Sequence, residues 1–100
     1  MDIFELMPGF AGFQWDEGNS DKVIQRHGVS REECEETFLH GNPFVMENGE
    51  HSTGEERRLK LYGETFAGRR LSIIFTIRGD LVRVISARDM SRRERRQHRK

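Results

Sequence analysis

The 100-residue sequence has one cysteine and no long apolar run, and each shortage excludes a class of protein. A lone Cys34 can form neither an internal disulfide nor a cysteine-rich zinc site. Apolar runs reach only three residues, as in Ile73-Ile74-Phe75, against the ~20 that span a bilayer, so a membrane protein is excluded. The N-terminus lacks the basic and continuously apolar regions of a secretory signal, which predicts a cytoplasmic chain. Apolar residues are scarce at 34%, matched by a charged fraction of 34%, which implies a small core under a heavily ionic surface. Seven Phe, one Trp and one Tyr nevertheless exclude general disorder, and the length admits one domain.

A net charge of zero hides a split. Residues 1–50 carry three basic and eleven acidic side chains, a net of −8, whereas residues 51–100 carry fourteen basic and six acidic ones, a net of +8. Such a separation suggests that one half contacts a polyanion or an acidic partner, and its sign points to nucleic acid first.

Met1–Gly12 mixes Phe, Met, Pro and Gly without a period and reads as an N-terminal extension or edge strand, leaving 13–100 as a single domain. Asp16 to His27 begins with acidic and capping residues and ends at Gly28, which predicts a helix. Ser30 and Glu33 form a capping box, and Cys34, Thr37 and Phe38 recur on one face of a second helix ending near His40-Gly41. Pro43, Asn48 and Gly49 imply a short strand around Phe44-Val45-Met46 and then a turn. Three alternating runs follow, within 58–62, 71–78 and 82–87, separated by turns at Ala67-Gly68-Arg69 and Gly79-Asp80. The two-residue turn sets Ile77 opposite Val82, Phe75 opposite Val84 and Thr76 opposite Arg83. A three-residue loop at the other turn sets Leu61 opposite Phe75 and Leu59 opposite Ile77. The predicted class is α+β: two N-terminal helices packed on an antiparallel sheet, then a basic C-terminal segment, short helix or tail, opened by the capping box Ser91/Glu94.

In this register Leu59, Leu61, Ile73, Phe75, Ile77, Val82 and Val84 share the face that packs on the helices. The opposite face gathers Arg58, Lys60, Tyr62, Arg78 and Arg83, with Glu64 the one nearby acid, so these cations are expected to be unneutralised. Guanidinium forks grip phosphate oxygens, and an aromatic among them can stack an unpaired base. The basic run Arg92 to Lys100 fits RNA contact, an acidic partner or no role equally well. His27, His40, His51 and His98 lack metal-ligand spacing, and neither metal nor cofactor is expected. Cys34 reads as a small buried hydrophobe and Trp15 as a core anchor. Arg78-Gly79-Asp80 coincides with a hairpin turn and is given no adhesive role.

Phe13-Gln14-Trp15-Asp16, Lys22, Arg26-His27-Gly28-Val29-Ser30, Glu55-Glu56-Arg57, Ile85-Ser86-Ala87-Arg88 and Ser91-Arg92-Arg93-Glu94-Arg95, in that order, resemble the BrnT toxins of bacterial type II toxin-antitoxin systems. The resemblance covers about residues 13 to 96. It implies a RelE-like fold, ribonuclease activity that blocks translation, and a BrnA antitoxin that carries a DNA-binding domain. It also implies a toxin-antitoxin heterotetramer that represses its own operon. Lys22, His27, Arg57, Arg88, Arg92 and Arg93 are carried over as motif positions. The stretch Met1–Gly12 and the loop Asn42–Thr53 depart from the pattern.

A metal-independent ribonuclease lets the ribose 2′-hydroxyl attack the adjacent phosphorus. It needs a base for that proton, an acid for the leaving 5′-oxygen and cations for the growing charge. Arg58, Lys60, Arg78 and Arg83 are expected to hold and polarise the phosphate with help from Arg88, and proton transfer falls to Glu56 or His27. Arginine, always charged, acts electrostatically. The competing reading is a non-enzymatic module that binds nucleic acid or an acidic partner.

Overall fold

A computed structural model of the chain describes residues 3–40, 43–47 and 56–98, apart from the side chains of 21–25. Its elements are α1 (Ile3–Leu6), β1 (Gly12–Phe13), α2 (Glu17–His27), α3 (Arg31–Leu39), β2 (Phe44–Glu47), β3 (Arg58–Glu64), β4 (Arg70–Arg78), β5 (Leu81–Asp89) and α4 (Arg92–Gln97). The strands form one sheet in the order β1-β5-β4-β3-β2, antiparallel throughout except for the parallel pair of β1 with β5. The mixed α+β class of the sequence reading is therefore present. The first dozen residues contain both a one-turn helix and an edge strand, and Ile3 and Met7 enter the core. The expected turn at Asn48-Gly49, together with His51 and Glu55, lies outside the described residues.

Local chemistry explains the helix boundaries. Ser30 accepts from the backbone of Glu33, whose side chain answers the Ser30 N–H, so the predicted capping box starts α3. The same reciprocal pair, Ser91 and Glu94, starts α4. Gly28 follows α2 with φ 63°, a left-handed conformation that glycine adopts without steric cost.

The core lies between the inner sheet face and α3, whose Cys34, Thr37 and Phe38 are buried as the i, i+3, i+4 spacing predicts. Burial pushes the Cys34 thiol up to about 12, so it packs as a hydrophobe. A chain of edge-to-face rings, Phe4, Phe10, Phe13, Phe38 and Phe75, has centroids 5.0 to 5.7 Å apart and ties α1 and β1 to the sheet centre. Such pairs contribute ~0.5 to 1.5 kcal/mol each beyond their burial. Trp15 packs against this core and donates its indole N–H to Glu35 at 2.8 Å, the anchoring role expected of it. On the opposite edge of the core, Gly63 leaves room for α3. A Cβ there would meet the Thr37 carbonyl oxygen at 2.8 Å and Thr37 Cβ at 2.9 Å. Gly63→Ala should therefore cost about 2 kcal/mol through overpacking, whereas Gly9→Ala, with open space around it, should leave the thermal midpoint unchanged. Melting curves of the two variants check this.

The hairpin register at Gly79-Asp80 is the one predicted, with Ile77 opposite Val82, Thr76 opposite Arg83 and Phe75 opposite Val84. The β3–β4 register is not. Leu61 faces Ile73 and Leu59 faces Phe75, two residues from the expected pairing. The connection is Thr65–Arg69, closed when Arg69 N–H donates to Thr65 Oγ1 and Thr65 N–H donates to the Arg69 carbonyl. A slip of two preserves the faces, so the division into apolar and basic sides survives.

The alternation in β5 also needs correction. Ser86 pairs with Ile74 and Val84 with Phe75, which leaves Ile85 as an extra, bulged residue. The bulge inverts the phase beyond it: Ala87 turns inward and is fully buried, and Arg88 turns outward opposite Ser72.

Candidate nucleic-acid interface

The outer sheet face consists of cross-strand rows. Arg58, Thr76 and Arg83 form one, Lys60, Ile74 and Ser86 the next, and Tyr62, Ser72 and Arg88 the third, with Arg78 at the hairpin end. Five of the expected cations, Arg58, Lys60, Arg78, Arg83 and Arg88, thus share a face, and the Ile85 bulge is what brings Arg88 to it.

They are not unneutralised, contrary to the sequence reading. Asp16 binds Arg83 through two hydrogen bonds of 2.8 and 3.1 Å. Glu56 accepts from Arg78 at 3.1 Å and lies 3.6 Å from Arg58. Glu94 accepts from Arg88 at 2.6 and 2.9 Å and lies 3.4 Å from Lys60. The cross-strand register does not reveal these acids because all three come from segments beside the sheet: the approach to α2, the approach to β3, and α4. Five cations share three carboxylates here, which leaves this set a formal excess of two positive charges.

The three carboxylates differ in accessibility. Asp16 is 54% exposed and Glu56 25%, whereas Glu94 is 10% exposed. Its Oε atoms also accept from Tyr62 Oη at 3.1 Å and Ser91 N–H at 2.8 Å, so Glu94 ties β3 and β5 to the start of α4. The Arg88 guanidinium, helped by the Ser91 N–H and Tyr62, holds its carboxyl well below the usual carboxylate range. Arg83 lowers Asp16 and Arg78 lowers Glu56 in the same way, so both are ionised at neutral pH.

Tyr62 is buried, its ring lies under Lys60 Nζ at 5.3 Å, and His98 sits against it with centroids 5.6 Å apart. It is therefore no open stacking surface, which corrects the expectation drawn from its position on the face. Arg57 sits beside β2 and pairs with Glu47. Arg92 and Arg93 project from α4 into solvent, and the Lys22 side chain lies outside the described residues. His27 is exposed at the end of α2, and its carbonyl accepts from Arg69 at 3.4 Å. Arg69 in turn binds Glu33 and Asp89, a cluster that locks the α2–α3 connection to the sheet end and includes none of the outer-face cations. Among the described residues no group of three or more His, Cys, Asp and Glu could hold a metal ion, and no helix is long and apolar enough to cross a membrane.

Asp16 and Glu94 are the residues of this interface that sequence reasoning missed. Glu94 carried a signal, since it is the one acid between Met90 and Lys100. Gly18 offers a fainter one: a Cβ there would come within 3.1 Å of Asp16 Oδ1 and 3.2 Å of Arg83 Nη2.

A comparison with curated proteins finds no match. A sequence model described as the ribonuclease toxin, BrnT, of type II toxin-antitoxin systems matches residues 15–94, a span that contains every strand from β2 to β5 and all three outer-face carboxylates. The chain belongs to the BrnT family of ribonuclease toxins of type II toxin-antitoxin systems.

Proposed function

We propose that this chain is a metal-independent endoribonuclease that arrests translation by cutting RNA on the outer sheet face, within a RelE-like domain spanning 13–100. The observation that carries the reading is the convergence of Arg58, Lys60, Arg78, Arg83 and Arg88 on one face of a chain in a ribonuclease toxin family. Arg58, Lys60 and Arg78 hold the scissile phosphate, displacing part of the hold that Glu56 has on the two arginines and Glu94 on the lysine. Arg83 and Arg88, each bound to a carboxylate, fix the edge of the face and contribute field. The grouping of Glu56 with Arg58 and Arg78 supports Glu56 over His27 as the proton acceptor.

The 2′-hydroxyl gives its proton to the Glu56 carboxylate as its oxygen bonds to phosphorus. The bond to the 5′-oxygen breaks, leaving a 2′,3′-cyclic phosphate, and water protonates the departing oxygen. The cations stabilise charge on the phosphoryl oxygens through this step. A BrnA-like antitoxin neutralises the toxin in the cytoplasm, as a heterotetramer that reaches operator DNA through the antitoxin.

The pairing of each face cation with a carboxylate favours a second reading, a non-enzymatic module whose ion pairs serve the fold. Expression of the chain without its antitoxin in bacteria separates the two. Growth arrest with loss of transcripts is expected; healthy growth of cells that contain folded protein favours the module.

A further inference from the structure

Away from the paired cations, four arginines that form no ion pair among the described residues come together at one end of the sheet. Arg70 at the start of β4 and Arg92, Arg95 and Arg96 of α4 line an open cleft of about 400 Å³. None of the four forms an ion pair among the described residues, and Glu64, the register partner of Arg70, does not supply one. Arg92, Arg95 and Arg96 fall at i, i+3 and i+4, so they share one helix face, while Glu94 turns the other way to bind Arg88 and Tyr62. Like charges at that spacing repel, and positive charge in the first turn opposes the helix dipole. The fold thus concentrates four cations with no ion pair to them among the described residues, although Arg95 and Arg96 in the last turn suit the helix dipole and Asp89 lies near enough to feel Arg95.

We infer that this cleft binds consecutive phosphates of a single-stranded RNA backbone, alongside the outer sheet face. The inference rests on the ribonuclease reading for the identity of its ligand. Three features favour a nucleic-acid backbone over an acidic peptide. All four cations are arginines, whose planar forks match phosphate oxygens. Among the described residues no apolar side chain lines the cleft, whereas a protein partner's interface is anchored by buried apolar or aromatic groups. Arg70 belongs to the same outer face as Arg58, Lys60 and Arg88, since it precedes Ser72 by two residues in β4. A strand lying across that face passes directly into the cleft. An adjoining cleft of about 330 Å³ shares Arg70 and Arg95, and its one acid, Asp89, is already bound by Arg69.

The test uses the full chain and a labelled 2′-O-methyl RNA oligonucleotide, which lacks the attacking hydroxyl, with anisotropy followed across a salt series. Each phosphate contact contributes ~0.7 to the slope of log affinity against log salt for single strands. The double variant Arg95→Gln, Arg96→Gln should lower that slope by roughly one and weaken binding on the order of tenfold at low salt. Arg31→Gln on α3, across the sheet, should change neither. Melting curves confirm that the variants are folded. No binding by the wild type, or an unchanged slope in the double variant, overturns the inference. So does the converse pattern, in which a labelled oligoglutamate peptide depends on Arg95 and Arg96 and the oligonucleotide does not. Cleavage of unmodified RNA by the wild type is scored separately: intact cleavage with an unchanged slope removes only the cleft, and lost cleavage with the expected slope removes only the nuclease.

Discussion

Glu94→Gln should lower the stability of the chain by about 2 kcal/mol, a fall in Tm on the order of 10 °C for a domain of this size. The Glu94 side chain is 10% exposed and accepts from Arg88, Tyr62 and Ser91, with Lys60 close by. Neutralising it leaves two cations facing a neutral amide and weakens the cap of α4. The ~3 to 5 kcal/mol typical of a broken buried pair is too much here, because Arg88 is 41% exposed and water recovers part of the loss. Glu94→Ala should cost more, about 3 kcal/mol, because the reciprocal cap is lost as well.

The same residue predicts a pH dependence with a definite sign. The folded state holds Glu94 below its ordinary value of 4.5, so its contribution is complete above that pH and is lost as pH falls through the folded value. The stability gap between wild type and Glu94→Gln should therefore be widest at neutral pH and narrow below about pH 4.5. Asp16, Glu33, Glu56 and Asp89 are lowered by their arginine partners or neighbouring N–H groups and steepen the acid limb of both proteins. Chemical denaturation at a series of pH values reads both effects. A gap that grows on acidification would show that Glu94 is not the hub of the outer face.

The second large effect is on RNA cleavage. Glu56→Gln should reduce the rate by roughly 10²- to 10³-fold, since a positioned base contributes about that much. Arg78→Gln should lose a similar factor through the phosphate it no longer polarises. Arg78 is half exposed at a hairpin turn, so its variant should stay folded. The two differ in pH profile. Arg78 holds the Glu56 carboxyl below its ordinary 4.5, so removing it should move the acidic limb of the rate upward toward that value, whereas Glu56→Gln should abolish the limb. Equal, pH-independent losses in both variants would point to a phosphate-binding role for the pair without proton transfer.

The faces of the sheet were legible in the sequence because their period of two survives even a mistaken register. Leu59 and Leu61 still point inward although they meet Phe75 and Ile73 rather than Ile77 and Phe75. The Gly79-Asp80 turn was readable as a dipeptide, but the Thr65–Arg69 connection is closed by a threonine hydroxyl, which no turn dipeptide announces. The bulge at Ile85 was hidden for another reason: the local alternation of β5 runs on smoothly, and only the partner strand exposes the extra residue. Hence Arg88 could be named for its motif but not placed on the face. The acids were hidden most completely. Asp16 and Arg83 are 67 positions apart in the chain, and ion pairs between a loop and a sheet edge follow no sequence period. The result is a face that is cationic in composition and largely paired in structure.

The most direct test of the central claim, that this face cuts RNA, is the chemistry of the product ends. Purified chain should convert a labelled RNA into fragments that end in 2′,3′-cyclic phosphate and begin with a 5′-hydroxyl, and Glu56→Gln and Arg78→Gln should nearly abolish those products while remaining folded. Products of the same kind and amount from both variants would place the reaction elsewhere on the molecule, and uncut RNA with the wild type would remove it altogether.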